Sequence, residues 1–247
     1  KPVLGCRQHE LACIGLMTFR AHDSLAEQIA HHLEGQIVTG DLVEGERIQE
    51  MRIVAELEVS RGSVREALLI LQRRHLIDIF PRRGAVVTEL TPALVKSLYE
   101  VLLLQLDLLV RRWAESWQQS TLAPFIDGLQ TIQEAVDEED SEAFFDRSLA
   151  WLRDTQVFAA NPYLDQQLKD LQPSVRRAYF LALQVNKREL DESFGFLRGL
   201  LDAVMLRQAD RAAELVEEFI LHQRNLVLES ILRVKQIEMA WARRHRR

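Results

Sequence analysis

Ser60, Arg61, Ser63 and Arg65 fall within one short stretch of the chain. Two hydroxyls and two guanidinium groups at this spacing crowd the first turns of a helix that starts at Ser60. A guanidinium forks onto guanine O6 and N7, or onto a phosphate. A serine hydroxyl caps the helix or bonds a phosphate oxygen, and the free N–H groups of a helix start attract phosphate. A second cationic pair lies in Pro81-Arg82-Arg83-Gly84. Two cations on a tight turn can grip a DNA backbone or enter a minor groove. Both features belong to the chemistry of nucleic-acid recognition.

The neighbouring elements are legible. Ser24 and Glu27 have capping-box spacing, so a helix starts there. Leu25, Ile29, Leu33 and Ile37 recur every four residues as its inward stripe, and Thr39-Gly40 ends it. His31 and His32 face solvent. Met51, Val54, Ala55 and Leu57 predict a short second helix. A third runs from Arg61 to about Arg74, with Val64, Ala67, Leu68 and Leu71 inward and Arg61, Arg65 and Gln72 outward. Strands are expected over 76–80 and 85–90, joined by the Pro81–Gly84 turn. Thr91-Pro92 then restarts helix. From there the expectation is helix throughout, over roughly 92–118, 122–138, 141–160, 162–186, 188–208 and 210–240.

The composition agrees. The 247 residues are 47% hydrophobic, with only 10 Gly and 6 Pro, which favours helical cores over turn-rich sandwiches. Cys6 and Cys13 are too few for a disulfide scaffold or a four-Cys zinc site. No apolar run reaches the roughly 18 residues of a membrane span, so no membrane partner is expected. Residues 1–22 form an N-terminal extension without an initial Met, read as a fragment or a processed start, and without the pattern of an export signal. A cytoplasmic, nucleoid-associated location is expected. The net charge of −6 argues against a nucleic-acid ligand only on average. From Ser60 to Gly84 six arginines face two acids, a local +4.

Three helices followed by a hairpin is the order of a winged helix-turn-helix. Val59-Ser60-Arg61-Gly62-Ser63-Val64-Arg65-Glu66-Ala67-Leu68, then Leu71, then Pro81-Arg82-Arg83-Gly84-Ala85-Val86-Val87 resembles the GntR family of bacterial transcription regulators. The resemblance covers about residues 24–90. It implies DNA contacts by Ser60, Arg61, Ser63, Arg65 and the wing residues Arg82, Arg83 and Gly84. Where the family often carries Arg in the second helix, Met51 stands here. Its neighbour Arg52, about 100° around the helix, is retained as a candidate contact.

The helical half resembles the FadR-type subgroup through Phe145-Asp146, Ala160-Asn161-Pro162-Tyr163-Leu164, Asp202-Ala203, Asp210 and Ala212-Ala213. The resemblance implies an effector-binding, dimerising bundle. Many members hold a metal with an Asp and three His. Here Asp146 matches the Asp, while Ala150, Leu197 and Ile220 occupy the His positions, so no metal and no cofactor are expected. His222 is two residues from the last of these and faces elsewhere. The inward Arg that grips a carboxylate effector would lie near Leu102 and is absent. Leu102, Leu106, Asp146, Ala150, Leu197, Ile220 and Tyr179 are the candidate pocket residues. Two readings stay open: a cavity closed into core, or an apolar cavity for a ligand such as a fatty acyl-CoA.

The fold expected is therefore mainly α. A winged helix-turn-helix DNA-binding domain over 23–90 is followed by an all-α ligand-binding and dimerisation domain over 91–247. The function expected is a homodimeric regulator, read as a repressor, that binds palindromic double-stranded operator DNA under a small-molecule effector. The alternatives are a ligand-independent regulator, and a metal- or carboxylate-responsive one with an altered site. An enzyme using Asp146 or Asp202 with His222 is the remotest, since no nucleophile elbow, phosphate loop or H-E-x-x-H motif appears. The tryptophans are assigned to core or interface, and the arginine-rich tail to a solvated end.

Overall fold

A computed structural model describes residues 24–180 and 187–244. Residues 1–22, with Cys6 and Cys13, lie outside them. Helix α1 (Leu25–Thr39) starts with the expected capping box: Glu27 N–H donates to Ser24 Oγ at 3.2 Å, and Ser24 N–H to Glu27 Oε2 at 3.0 Å. Gly40 ends it at φ 84°. Helix α2 (Glu50–Leu57) and α3 (Arg61–Arg73) follow, then antiparallel strands β1 (Ile77–Phe80) and β2 (Gly84–Val87). Ile77 pairs with Val87 and Phe80 with Gly84.

The helical half comprises α4 (Pro92–Ser116), α5 (Gln119–Asp137), α6 (Ser141–Asp154), α7 (Gln156–Ala159), α8 (Pro162–Phe180), α9 (Lys187–Met205) and α10 (Ala209–Arg244). Thr91 caps α4, its hydroxyl accepting from Leu94 N–H at 3.2 Å with Pro92 in the first turn. Two apolar cores form. One gathers α1–α3 and the wing around Val64, Leu68, Leu71 and Leu76; the other gathers the helical half around Leu106, Leu109, Trp113 and Ile132. Trp113 and Trp151 are buried in the second core as expected, 5.2 Å apart edge to face. Trp241 lies where no side chain is described.

Four expectations need correction. Leu25 is 48% exposed, and Ala26 is buried instead. A four-residue step advances about 400°, so a strict stripe drifts about 40° per turn and its first member rotates out of the core. In α2 the buried residue is Ile53, whereas Met51 and Ala55 are exposed. The helix over 141–160 breaks at Thr155, whose buried hydroxyl donates to the Leu152 carbonyl at 2.6 Å and closes off α6. The second strand stops at Val87 rather than at residue 90. Its other edge is not bare, because loop residue Arg47 bridges Val86. Ile48 N–H donates to Ala85 O, and Val87 N–H to Glu46 O, each at 2.9 Å.

Candidate nucleic-acid interface and effector cavity

Ser60 begins α3, and its Oγ accepts from Ser63 N–H at 3.0 Å while the two hydroxyls lie 2.9 Å apart. These bonds fix the first turn, from which Arg61 and Arg65 project into solvent. Arg65 Nε donates to Glu50 Oε2 at 3.1 Å, an exposed pair joining α3 to the start of α2. Val64, Ala67, Leu68 and Leu71 are buried on the opposite face. Arg52 is exposed and tied along α2 to Glu56 at 2.7 Å, whose hydrogen bond and charge raise its pKa. On the wing, Arg82 takes φ 66° and Gly84 φ 78°, which turns the chain back within four residues. Arg82 and Arg83 are exposed at the tip, and the Arg83 guanidinium lies 5.7 Å from the centre of the Phe80 ring. Thus Ser60, Arg61, Ser63 and Arg65 come together, and Arg82, Arg83 and Gly84 form a separate cationic tip.

The local +4 overstates what faces solvent. Arg74 binds Glu34 at 2.8 Å with both side chains largely buried, and Arg73 binds Asp170 at 3.2 Å. Arg74 is thus tied within the winged domain to α1, whereas Arg73, its side chain 56% exposed, reaches across to α8. The exposed cations of this stretch are Arg61, Arg65, Arg73, Arg82 and Arg83, with Arg52 flanking; Arg73 lies about three turns from the capped start of α3.

In the helical half, Leu102, Leu106 and Ile220 line a cavity of about 30 Å³. Leu102 and Leu106 also line an adjoining one of about 20 Å³. Neither approaches the several hundred Å³ of a drug-sized site. Around the first, Tyr99 Oη, Ser148 Oγ and Gln223 Oε1 are buried without a hydrogen-bond partner among the described residues. Burial pushes the phenols of Tyr99 and Tyr179 above their usual range.

The other candidates lie elsewhere. Asp146 is exposed and paired with Arg176 at 3.0 Å. Ala150 is half-buried off the cavity wall, and Leu197 is core. Tyr179 stacks on Phe145 at 4.2 Å. The metal of the family does not fit this set, because the carboxylate is taken by Arg176 and the other three positions carry no lone pair. Among the described residues no three His, Cys, Asp or Glu side chains converge. Among them, too, no helix is long and apolar enough to cross a membrane.

Sequence reasoning missed the face of α8 that holds the winged domain. Asp170, Ser174 and Arg177 recur at helical spacing. Ser174 Oγ donates to the Arg74 carbonyl at 2.6 Å, and Arg177 Nη2 to the Thr88 carbonyl at 2.7 Å and to Glu44 Oε1 at 3.3 Å. Arg177 is only 5% exposed.

The profile of bacterial regulatory proteins of the gntR family matches residues 25–87, and that of the FCD domain matches 98–222, half of the chain. The chain belongs to the GntR family. It is a transcription regulator with an FCD domain, not an enzyme. The Bacillus subtilis gluconate operon transcriptional repressor is 27% identical over 69% of this chain and 70% of its own. Its Bacillus licheniformis counterpart is 25% identical over 69% of this chain and 70% of its own. Among solved structures, E. coli McbR/YncC superposes with a TM-score of 0.71 at 20% identity, covering 85% of this chain and all of that one. A putative GntR regulator from Rhodococcus sp. RHA1 gives 0.65 at 19%, covering 83% and 97%. These two likenesses establish the fold of the GntR-family chain: a winged helix-turn-helix followed by an all-helical domain.

Proposed function

We propose that this regulator works in the cytoplasm as a homodimeric repressor that reads a palindromic operator. Residues 23–90 serve as the reading domain, and residues 91–247 as the effector and dimerisation domain. The observation that carries the reading is the capped start of α3, where Ser60, Arg61, Ser63 and Arg65 are presented together beside an Arg82-Arg83 wing tip. Two such modules related by a two-fold axis would place α3 in successive major grooves. The second copy is assigned to α4 of the helical half, where Leu104 is 70% exposed with Leu108 one turn on. The repressor sign follows the two gluconate operon relatives. Selection of bound duplexes from a random pool tests the reading: enrichment of an inverted repeat supports it, and a pool left without sequence preference refutes it.

The effector is assigned to the small cavity between α4, α6 and α10, where Tyr99, Ser148 and Gln223 offer three neutral polar atoms. A sugar acid such as gluconate carries a carboxylate and several hydroxyls, more than these three atoms can pair. A fatty acyl chain needs far more room than about 30 Å³. At about 30 Å³ the cavity has room for about two waters, so an effector that enters it must widen the space between α4, α6 and α10 and be uncharged where it meets the trio.

A further inference from the structure

The junction between the two cores contains a cavity of about 190 Å³, distinct from the one inside the bundle. Its apolar wall is Leu90, Leu94, Leu98, Val101 and Leu171. Its polar groups are His75, Ser97, Ser174 and Arg177. His75 comes from the winged domain, Ser97 from α4, and Ser174 and Arg177 from α8. Arg177 also lines a larger crevice of about 410 Å³ beside the end of α1, so its guanidinium stands between the two spaces.

That cation is under-compensated. Its single carboxylate partner among the described residues is Glu44, at 3.3 Å and with a side chain 45% exposed. Burial lowers the Arg177 pKa, and the Glu44 charge only partly opposes this. Both described bonds of Arg177 leave from Nη2, toward the Thr88 carbonyl and Glu44. Glu44 Oε1 also accepts from Leu90 N–H at 3.1 Å, and keeps that partner if Arg177 turns away. A buried guanidinium beside an apolar wall favours an anion, since attraction is stronger out of water than at the exposed Glu44. One guanidinium balances one negative charge. The volume admits a single ring or a short chain.

We propose that this junction cavity binds a small apolar monocarboxylate, such as an aromatic or short-chain acid, through Arg177. Because the wall comes from both halves, the bound acid touches α4, α8 and the winged domain together. The site is independent of the effector cavity inside the bundle.

Thermal unfolding of the full chain tests this with benzoate, phenylacetate and hexanoate as probes and benzyl alcohol as the uncharged control. At about ten times its Kd, a binding acid raises the midpoint by about 2–4 °C, while benzyl alcohol leaves it in place. Arg177→Gln abolishes the shift. Ser97→Trp blocks the cavity from an exposed position, leaves the core intact and also abolishes it. An equal shift with benzyl alcohol, a shift surviving in Ser97→Trp, or no shift with any of the three acids overturns the proposal.

Discussion

Arg177 Nη2 lies 2.7 Å from the carbonyl oxygen of Thr88, joining residues 89 apart in sequence. Thr88 follows β2 directly, so the base of the wing is hydrogen-bonded to a helix of the other half. Ser174 does the same to the end of α3 through the Arg74 carbonyl. Helix α8 therefore holds the winged domain through Asp170, Ser174 and Arg177, while Leu168 and Val175 on the same helix line the inner cavities. A displacement of α8 would reach the reading head without further intermediaries.

Removing the first of these hydrogen bonds should separate the two halves energetically. Arg177→Ala leaves the Thr88 carbonyl without that donor, at a cost of about 1–3 kcal/mol. Denaturant unfolding followed by far-UV circular dichroism should show a lower midpoint, or two transitions in place of one. A midpoint matching the wild type would show that the latch contributes nothing.

At the reading head, Arg61→Ala and Arg65→Ala should each weaken specific operator binding by about 1–3 kcal/mol, at least several-fold in Kd. Neither touches the core, so the circular dichroism spectrum should not change. Gel shifts on the selected operator decide, and unchanged affinity in both variants removes α3 from the interface.

The wing should act through phosphates. Arg82→Ala and Arg83→Ala should reduce affinity across operators alike and lower the salt slope of log K by about 0.9 for each phosphate that is no longer neutralised. Arg73→Ala, in contrast, should leave that slope unchanged, because Arg73 ends α3 about three turns from its capped start and turns to Asp170 of α8. A slope that falls as far in Arg73→Ala as in Arg82→Ala would contradict this division.

Arg74 and Glu34 form a largely enclosed pair at 2.8 Å. Arg74→Ala strands the Glu34 carboxylate in that setting and should lower stability by about 1–3 kcal/mol. Urea titration measures it. The double variant with Glu34→Ala should recover part of the loss, and a purely additive double variant would mean that the pair is not coupled.

For assembly, Leu104→Asp with Leu108→Asp should convert the dimer to monomer in sedimentation velocity. Each monomer would retain its helix content but bind half-sites only weakly. A dimer that survives both changes would place the interface on another face.

Much of the fold and of the reading head is legible in the sequence. Ser24, Ser60 and Thr91 announce helix starts because capping is a local bond made within three residues. The Val64, Ala67, Leu68 and Leu71 stripe is equally local. What stays hidden depends on distant partners. Nothing near Arg73 or Arg74 reveals that Asp170 and Glu34 claim them, so counting charge overstates the reading surface. The break at Thr155 turns on one hydroxyl choosing the Leu152 carbonyl. The inner cavity is least readable of all, since Leu102, Leu106 and Ile220 look alike in a packed core and in a pocket wall. The orphaned Tyr99, Ser148 and Gln223 atoms distinguish the two only in three dimensions.

The Arg47–Val86 bridge carries a mechanical consequence. Chain leading into α2 is stitched to the strand that descends from the wing tip, so the tip is not a free flap. The strand behind Arg83 is tied by backbone bonds to the lead into α2, and α2 packs against α3, which carries Arg61, so the two arginines share one frame. Such a frame works as a caliper: it closes on a duplex only where phosphate spacing and groove depth match its fixed gap, so DNA shape would be gauged before any base is read.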